Sequence, residues 1–354
     1  AMNKSPLTPS GLFLLVFLVG FVSACSMIKT HSLGTAVKYN NIEEVHRHLE
    51  AGSNTNKPDE EGQTPLHYAA YNGNKEVAVL LVNHGANVNA RDKKGRMPLH
   101  LAAHENRSPV VDLLIDQGAD LNGRDLVGRS PLYYTILTGA YDSAFILLLN
   151  KAQVDAKSKQ GYTPLYQACL KNHPRLVGLL IDKGAEVNPA TGRSPLFGAV
   201  WMGHSKVVKV LLKKNANVHG QPKATRTPIH VAAEKDLTYI AELLLNYQAD
   251  PYRKDRTGKT PIYYAAYHGN HLVMKLLISY GEDVNQKIPE GTLLHLAAAK
   301  GHTAVADLLI YKGALLDIPN SRGEKPLDVA INNGHQKVAD LITREAIKRK
   351  EAGK

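Results

Sequence analysis

Pro65, Pro98, Pro131 and Pro164 stand 33 residues apart, and no other feature restricts the folding of this 354-residue chain so strongly. Pro195 follows after 31 residues, and Pro228 and Pro261 at 33 each; Leu293 takes the next proline position, with Pro326 33 further on. Length alone would suggest two or three globular domains. A fixed period overrides that expectation. Each period is one small unit that cannot bury its apolar face alone, so neighbours must stack to make a core.

The residues around each proline say what the unit is made of. Proline suits the first turn of a helix, where its missing N–H has no partner to lose. A threonine just before it, as at Thr64 and Thr227, can cap the free N–H groups. Alanine pairs such as Ala69-Ala70 and Ala232-Ala233 let neighbouring helices approach closely. A second apolar segment follows, then a glycine that can end it in the left-handed conformation, as at Gly85 and Gly184. Two short helices per period are predicted.

The recurring text is Thr-Pro-Leu-His at the start of a unit and Gly-Ala-x-Val-Asn at its end, as at 64–67 and 85–89. With the 33-residue period, these motifs resemble the ankyrin family. The resemblance implies an all-α ankyrin-repeat solenoid of stacked helix–turn–helix pairs with β-hairpin loops. We assign residues 1–25 to a signal peptide with lipobox and 26–58 to a degenerate N-terminal capping repeat. Residues 59–341 make nine ankyrin repeats, and 342–354 a C-terminal capping helix and basic tail. The unit at Pro195 is two residues short and the one at Leu293 one residue short, which predicts either local bends or plain loop variation.

The start of the chain reads as an address. Residues 12–22 are an apolar run too short to span a bilayer, which needs roughly 20 residues. Val22-Ser23-Ala24-Cys25 then resembles a bacterial lipobox, with Cys25 as the lipidated residue. Ser26, in place of Asp, implies sorting to the outer membrane. The expected location is the periplasm, anchored to the outer membrane as a lipoprotein. A start at Met27 would instead give a cytoplasmic form.

Several kinds of chemistry lack their residues. The two cysteines make no disulfide framework and no CxxC metal pair. The 16 histidines form no HExxH motif. His67, His100, His230 and His295 fall in the Thr-Pro-Leu-His slot, where the resemblance implies hydrogen bonds between repeats. Gly258-Lys259-Thr260 lacks the first glycine of a phosphate-binding loop, since position 253 is Arg253. Cys169 takes the second alanine position of its repeat and reads as a buried small apolar residue. No catalytic, metal or cofactor site is expected, and the chain is read as a binding module, not an enzyme.

The formal charge of +11 points to an acidic partner. In the ankyrin family the contact slots lie at the loop tips and the end of the first helix, on the concave side. Carried onto this chain, those slots hold nineteen basic and five acidic residues, which leaves 24 basic and 27 acidic elsewhere. The expected contacts are Lys93, Lys94, Arg96, Arg129, Lys159, Arg193, Arg226, Arg256 and Lys259, with Tyr162, Trp201 and Tyr267 as aromatic anchors.

Taken together, these features are similar to ankyrin-repeat immunity or accessory lipoproteins of secreted lipases and phospholipases. That similarity implies a membrane-tethered protein whose basic concave face binds and inhibits an acidic, secreted enzyme. The alternatives are a periplasmic stress-response scaffold of the catalase-associated type, and a binder of anionic lipid. Export argues against nucleic acid as the partner.

Overall fold

The computed structural model describes residues 32–220 and 226–352. The described chain is 54% helical with almost no strand, and it falls into two compact units, divided between Pro164 and Leu165. The first unit contains α1 (Leu33–Lys38), α2 (Ile42–Glu50), α3 (Pro65–Asn72), α4 (Lys75–Asn83), α5 (Pro98–His104), α6 (Ser108–Asp116), α7 (Pro131–Thr138) and α8 (Tyr141–Leu149). After α9 (Pro164–Leu170), the second unit contains α10 (Pro174–Asp182), α11 (Pro195–Trp201), α12 (Ser205–Lys213), α13 (Pro228–Glu234), α14 (Thr238–Asn246), α15 (Pro261–His268) and α16 (His271–Ser279). It closes with β1 (Lys287–Ile288), β2 (Gly291–Thr292), α17 (Leu293–Lys300), α18 (Thr303–Tyr311), α19 (Pro326–Asn332) and α20 (Gln336–Ala352). The fold is an all-α ankyrin solenoid.

Each pair begins at a period proline or its substitute and turns sharply at one left-handed residue. That residue is glycine at Gly73, Gly139 and Gly269, and Asn or Asp at Asn106, Asn172 and Asp236, the other types that tolerate positive φ. Both helices of a pair build the core: Leu66, Ala69, Ala70, Leu99, Ala102 and Ala103 of first helices and Val77, Ala78, Leu81, Val110, Val111 and Leu114 of second helices are fully buried. Cys169 is fully buried as well, and burial pushes its thiol well above the ordinary range.

Two polar devices lock repeats in register. The first is the slot histidine. Nδ1 of His67 accepts the Thr64 N–H at 3.1 Å, and its Nε2–H donates to the Arg96 carbonyl of the next repeat at 3.0 Å. His100 joins Met97 to Arg129 in the same way, His230 joins Thr227 to Lys259, and His295 joins Thr292 to Glu324. Burial lowers the pKa of all four, that of His100 to about 4, and the neutral ring is the form these bonds require. The second device is the Asn that closes a unit. Its Oδ1 takes an N–H of the following repeat, as in Asn89 with Asp120 at 2.8 Å and Asn188 with Asn217 at 2.7 Å.

The loops depart from the expected β-hairpins. Among the described residues only β1 and β2 pair as strands, Lys287 against Thr292 and Ile288 against Gly291. That loop is the one a residue short, and the shortening tightens it into a two-residue hairpin. Several others are closed by an aspartate, and the one at Asn320 by the equivalent asparagine. Asp92 Oδ1 accepts the N–H groups of Lys94 and Arg96 at 2.9 and 2.8 Å, and Asp125 and Asp255 repeat the pattern. The C-terminal segment differs too. α20 runs unbroken from Gln336 to Ala352, so residues 342–352 extend the last second helix and form no separate cap. Nothing between Gln336 and Ala352 supplies a glycine or proline to stop it, and Arg349 ties its end to the Ala314 and Ile310 carbonyls.

Candidate binding surface

The loop tips of the first unit are joined by backbone bonds. Lys93 N–H donates to Glu61 O at 2.9 Å, Leu126 N–H to Lys94 O at 3.0 Å, and Lys159 N–H to Val127 O at 3.1 Å. The tips approach so closely that a Cβ on Gly62 would lie 2.8 Å from the Lys93 nitrogen, and Gly62 has φ of 80°. This places Lys93 and Lys94 on one tip and Lys159 two tips further along; all three are exposed, and none takes part in an ion pair of the described residues. The row runs from the exposed acidic tip Glu60-Glu61 through Lys93-Lys94 and the exposed apolar Leu126-Val127 to Lys159.

Other basic residues expected on this surface are spent inside the fold. Arg96 reaches back to the buried Asp92, with guanidinium-to-carboxylate distances of 2.7 Å. Arg91 donates to the carbonyls of Gly95 and Arg124 at 3.0 and 2.6 Å, and Arg124 to that of Lys157 at 2.8 Å. Arg226 pairs with Glu234 at 2.6 Å and lies 4.3 Å over the Tyr264 ring. Arg322 pairs with Glu324 at 2.9 Å. The charge these slots leave unpaired is therefore smaller than their residue count, because guanidinium groups, whether half-buried like Arg96 and Arg226 or exposed like Arg91, Arg124 and Arg322, take the nearest carboxylate or carbonyl.

Whether Arg96 or Arg129 is tied to its loop aspartate follows from one position three residues after the proline. Where that residue is tyrosine, its hydroxyl donates to Oδ2 of the loop aspartate: Tyr68 to Asp59 at 2.5 Å, Tyr134 to Asp125 at 2.9 Å and Tyr264 to Asp255 at 2.6 Å. Partial burial opposes ionisation of Asp255, yet the Tyr264 hydroxyl and three further donors bring its pKa down to about 2. In the repeat at Pro98 the position holds Leu101, which has no hydroxyl, and Arg96 supplies the donor instead. Arg129, whose aspartate is already served, lies 5.8 Å over the Tyr133 ring.

The aromatic anchors of the second unit lie under lysines. Trp201 is 45% exposed and stacks on Phe197 with centroids 6.3 Å apart. Lys235 Nζ sits 4.5 Å above the Trp201 ring and donates to the Trp201 carbonyl at 2.7 Å. Tyr267, 38% exposed, stacks on Tyr263 at 6.1 Å; Lys300 lies 4.4 Å over Tyr267, and Lys259 4.4 Å over Tyr263. Arg193 and Arg256 are exposed and Tyr162 is half-buried. Cys25 lies outside the described residues. Lys235 and Lys300 belong to the nineteen basic slot residues, but their pairing with the rings was not read from the sequence, although each stands about one period past its aromatic.

Among the described residues no group of His, Cys, Asp and Glu could hold a metal ion, and no helix is long and apolar enough to cross a membrane. What the surface offers is side chains for contact. A stack of helix pairs with adjoining loop tips is the architecture of a repeat scaffold for protein–protein interaction. The family described as ankyrin repeats (3 copies) matches residues 33–125, 132–222, 218–288 and 286–351, and the chain belongs to it. Among curated proteins it is similar to palmitoyltransferase ZDHHC13: 41% identical over 64 residues in the human and Pongo abelii proteins, and 38% over 63 in the Mus musculus one. Each match covers 18% of this chain and spans about a tenth of the relative's length.

Proposed function

We propose that this chain binds an acidic protein through its loop tips and first-helix ends, and that the partner is a secreted enzyme, a lipase or phospholipase, which it holds inactive. The observation that carries this reading is the row of Lys93, Lys94 and Lys159. These exposed ammonium groups sit on tips fixed by backbone bonds, while the arginines beside them are already paired. Clustered cations of this kind raise the rate of association with an acidic surface and make it sensitive to salt. The proposal includes export and a lipid tether at Cys25, which would place an inhibitor where a lipolytic enzyme does harm. The repeats act by occlusion, with no chemistry of their own.

The test uses the full chain and the secreted lipase or phospholipase encoded nearest to it. The variant K93E/K94E/K159E should fold normally, lose inhibition by about a hundredfold and show a flattened salt dependence. A folded variant that inhibits at full strength overturns the acidic-partner reading. Fatty-acid labelling that persists in C25A overturns the tether.

A further inference from the structure

We infer that the second unit carries a two-point clamp for a carboxylate-bearing peptide segment of the partner, its points being Trp201 with Lys235 and Tyr267 with Lys300. This deepens the reading above and rests on it. At both points an exposed ring comes from the end of one first helix and the lysine from the next repeat, and both rings stack on a second aromatic, Phe197 or Tyr263. The stacking fixes the ring, and the ring fixes the ammonium group.

That arrangement suits a carboxylate for three reasons. Lys235 donates one N–H to the Trp201 carbonyl and Lys300 one to the Tyr267 hydroxyl at 3.4 Å, so each keeps two donors for an incoming anion. Neither lysine belongs to an ion pair of the described residues. A lysine already held over a ring has less rotamer freedom to lose on binding, and the exposed ring face offers apolar area to the peptide stem beside the carboxylate.

The groups between the points select the kind of anion. The repeat between them presents Glu234, paired with Arg226, and Glu290 accepts from the Tyr263 hydroxyl at 2.8 Å close to the second point. A continuous run of phosphates, as on a nucleic acid or an anionic bilayer, would meet these carboxylates. A peptide can set its acidic side chains at intervals and leave the repulsive stretch to neutral residues.

Trp201 is the single tryptophan of the chain, so its emission reports on the first point directly. The probe is a fluorescein-labelled peptide of about fifteen residues, rich in Glu and spaced with Ser and Leu; a Gln-substituted copy is the control. Titrating the full chain should change Trp201 emission and raise peptide anisotropy along one saturation curve, and the Gln copy should do neither. K235Q and K300Q should each weaken binding about tenfold, with unchanged thermal melting. Peptide binding that leaves Trp201 emission unchanged, or that survives both substitutions, overturns the clamp. If that binding is lost instead in K93Q/K94Q/K159Q, the acidic-partner reading stands without the clamp. No peptide binding at all overturns the clamp, while enzyme inhibition still judges the wider reading. Vesicles of anionic phospholipid that shift Trp201 emission where the peptide does not would assign the site to lipid and overturn the peptide.

Discussion

Two loops, one in each unit, bury a carboxyl group almost completely and deal with it in opposite ways. Asp92 in the first unit is 6% exposed, and Glu282 in the second is 7% exposed. Asp92 is fully engaged: two backbone N–H groups bond Oδ1 and the Arg96 guanidinium takes Oδ2. Glu282 has the Gln286 amide on Oε2 at 3.1 Å, while Oε1 has no partner, and the charged groups that bear on it are Asp250 and Asp283. Its slot is built for a methyl group; Ala86, Ala119, Ala249 and Ala314 fill it in other repeats, all buried. Burial, with two like charges behind it, pushes the Glu282 carboxyl up to about 7. The first unit thus satisfies its buried charge with donors, and the second does so by keeping a proton. On the surface Arg91, Arg96 and Arg124 of the first unit are bonded inward while Lys235, Lys259 and Lys300 of the second rest on rings, although Arg129 over Tyr133 and Arg226 with Glu234 cross that division. Groups without an internal partner mark where a binding function has material to work with.

Removing the engaged carboxyl should have the largest effect. D92A leaves two loop N–H groups and the Arg96 guanidinium without their acceptor, and should cost about 3 kcal/mol. Urea denaturation of the full chain measures it. A loss under about 1 kcal/mol would mean that water replaces the carboxylate easily and that the contrast with Glu282 is overstated.

Glu282 should behave the other way. Its folded pKa, about 7, lies above the ordinary 4.5, so the folded state holds the proton more tightly than the unfolded chain. Below about pH 4.5 both states are protonated and the residue costs nothing; above 7 the cost reaches about 2–3 kcal/mol. E282Q should therefore stabilise the chain by that amount at pH 8 and leave it unchanged at pH 4. The slot histidines supply the opposite slope, since their lowered pKa gives stability that is full above about 6.5 and lost as the pH falls. The first unit, with His67 and His100 and no counterpart of Glu282, should show only that loss. Hydrogen exchange followed separately in the two units, from pH 8 to 5, would show whether they diverge.

Much of this was legible in the sequence. The proline period, the alanine pairs and the histidine slot are local, repeated signals, and each sits in the structure where the period puts it; the threonines read as caps instead bond their hydroxyls to the slot histidine, Thr64 to His67 at 2.9 Å and Thr227 to His230 at 2.7 Å. The charge on the binding surface was less legible, because slot position says which residue is near the surface and not which neighbour claims it. Arg96 and Arg129 occupy the same slot, yet only Arg96 is tied to an aspartate. The deciding residue, Leu101 or Tyr134, faces the loop from the following helix, nine residues after the aspartate it serves or fails to serve. Lys235 and Trp201 were both placed in contact slots, but their pairing was not legible for a similar reason, since the contact joins residues 34 apart.

That exchange between tyrosine and arginine leads to the smallest and sharpest test of the comparison. R129Q should change stability by under about 0.5 kcal/mol, since Asp125 keeps the Tyr134 hydroxyl and a half-exposed cation over a ring contributes little. R96Q at the equivalent position should cost about 1–2 kcal/mol, because Asp92 loses its only donor on Oδ2. The second substitution L101Y should then recover about 1 kcal/mol by offering Asp92 a hydroxyl from the helix. Tyrosine already fills this position at Tyr134 and Tyr264, and a pocket beside Leu101, lined by Gln63, Tyr68, Arg96 and Tyr134, leaves room for the ring. The double-mutant cycle isolates the exchange from any general effect of a larger side chain. L101Y alone should do little, as Arg96 still serves the carboxylate, and the gain should appear only when the arginine is gone. An equal gain in both backgrounds would show that tyrosine acts by packing, and that Arg96 and Arg129 differ for some reason other than the residue three places after the proline.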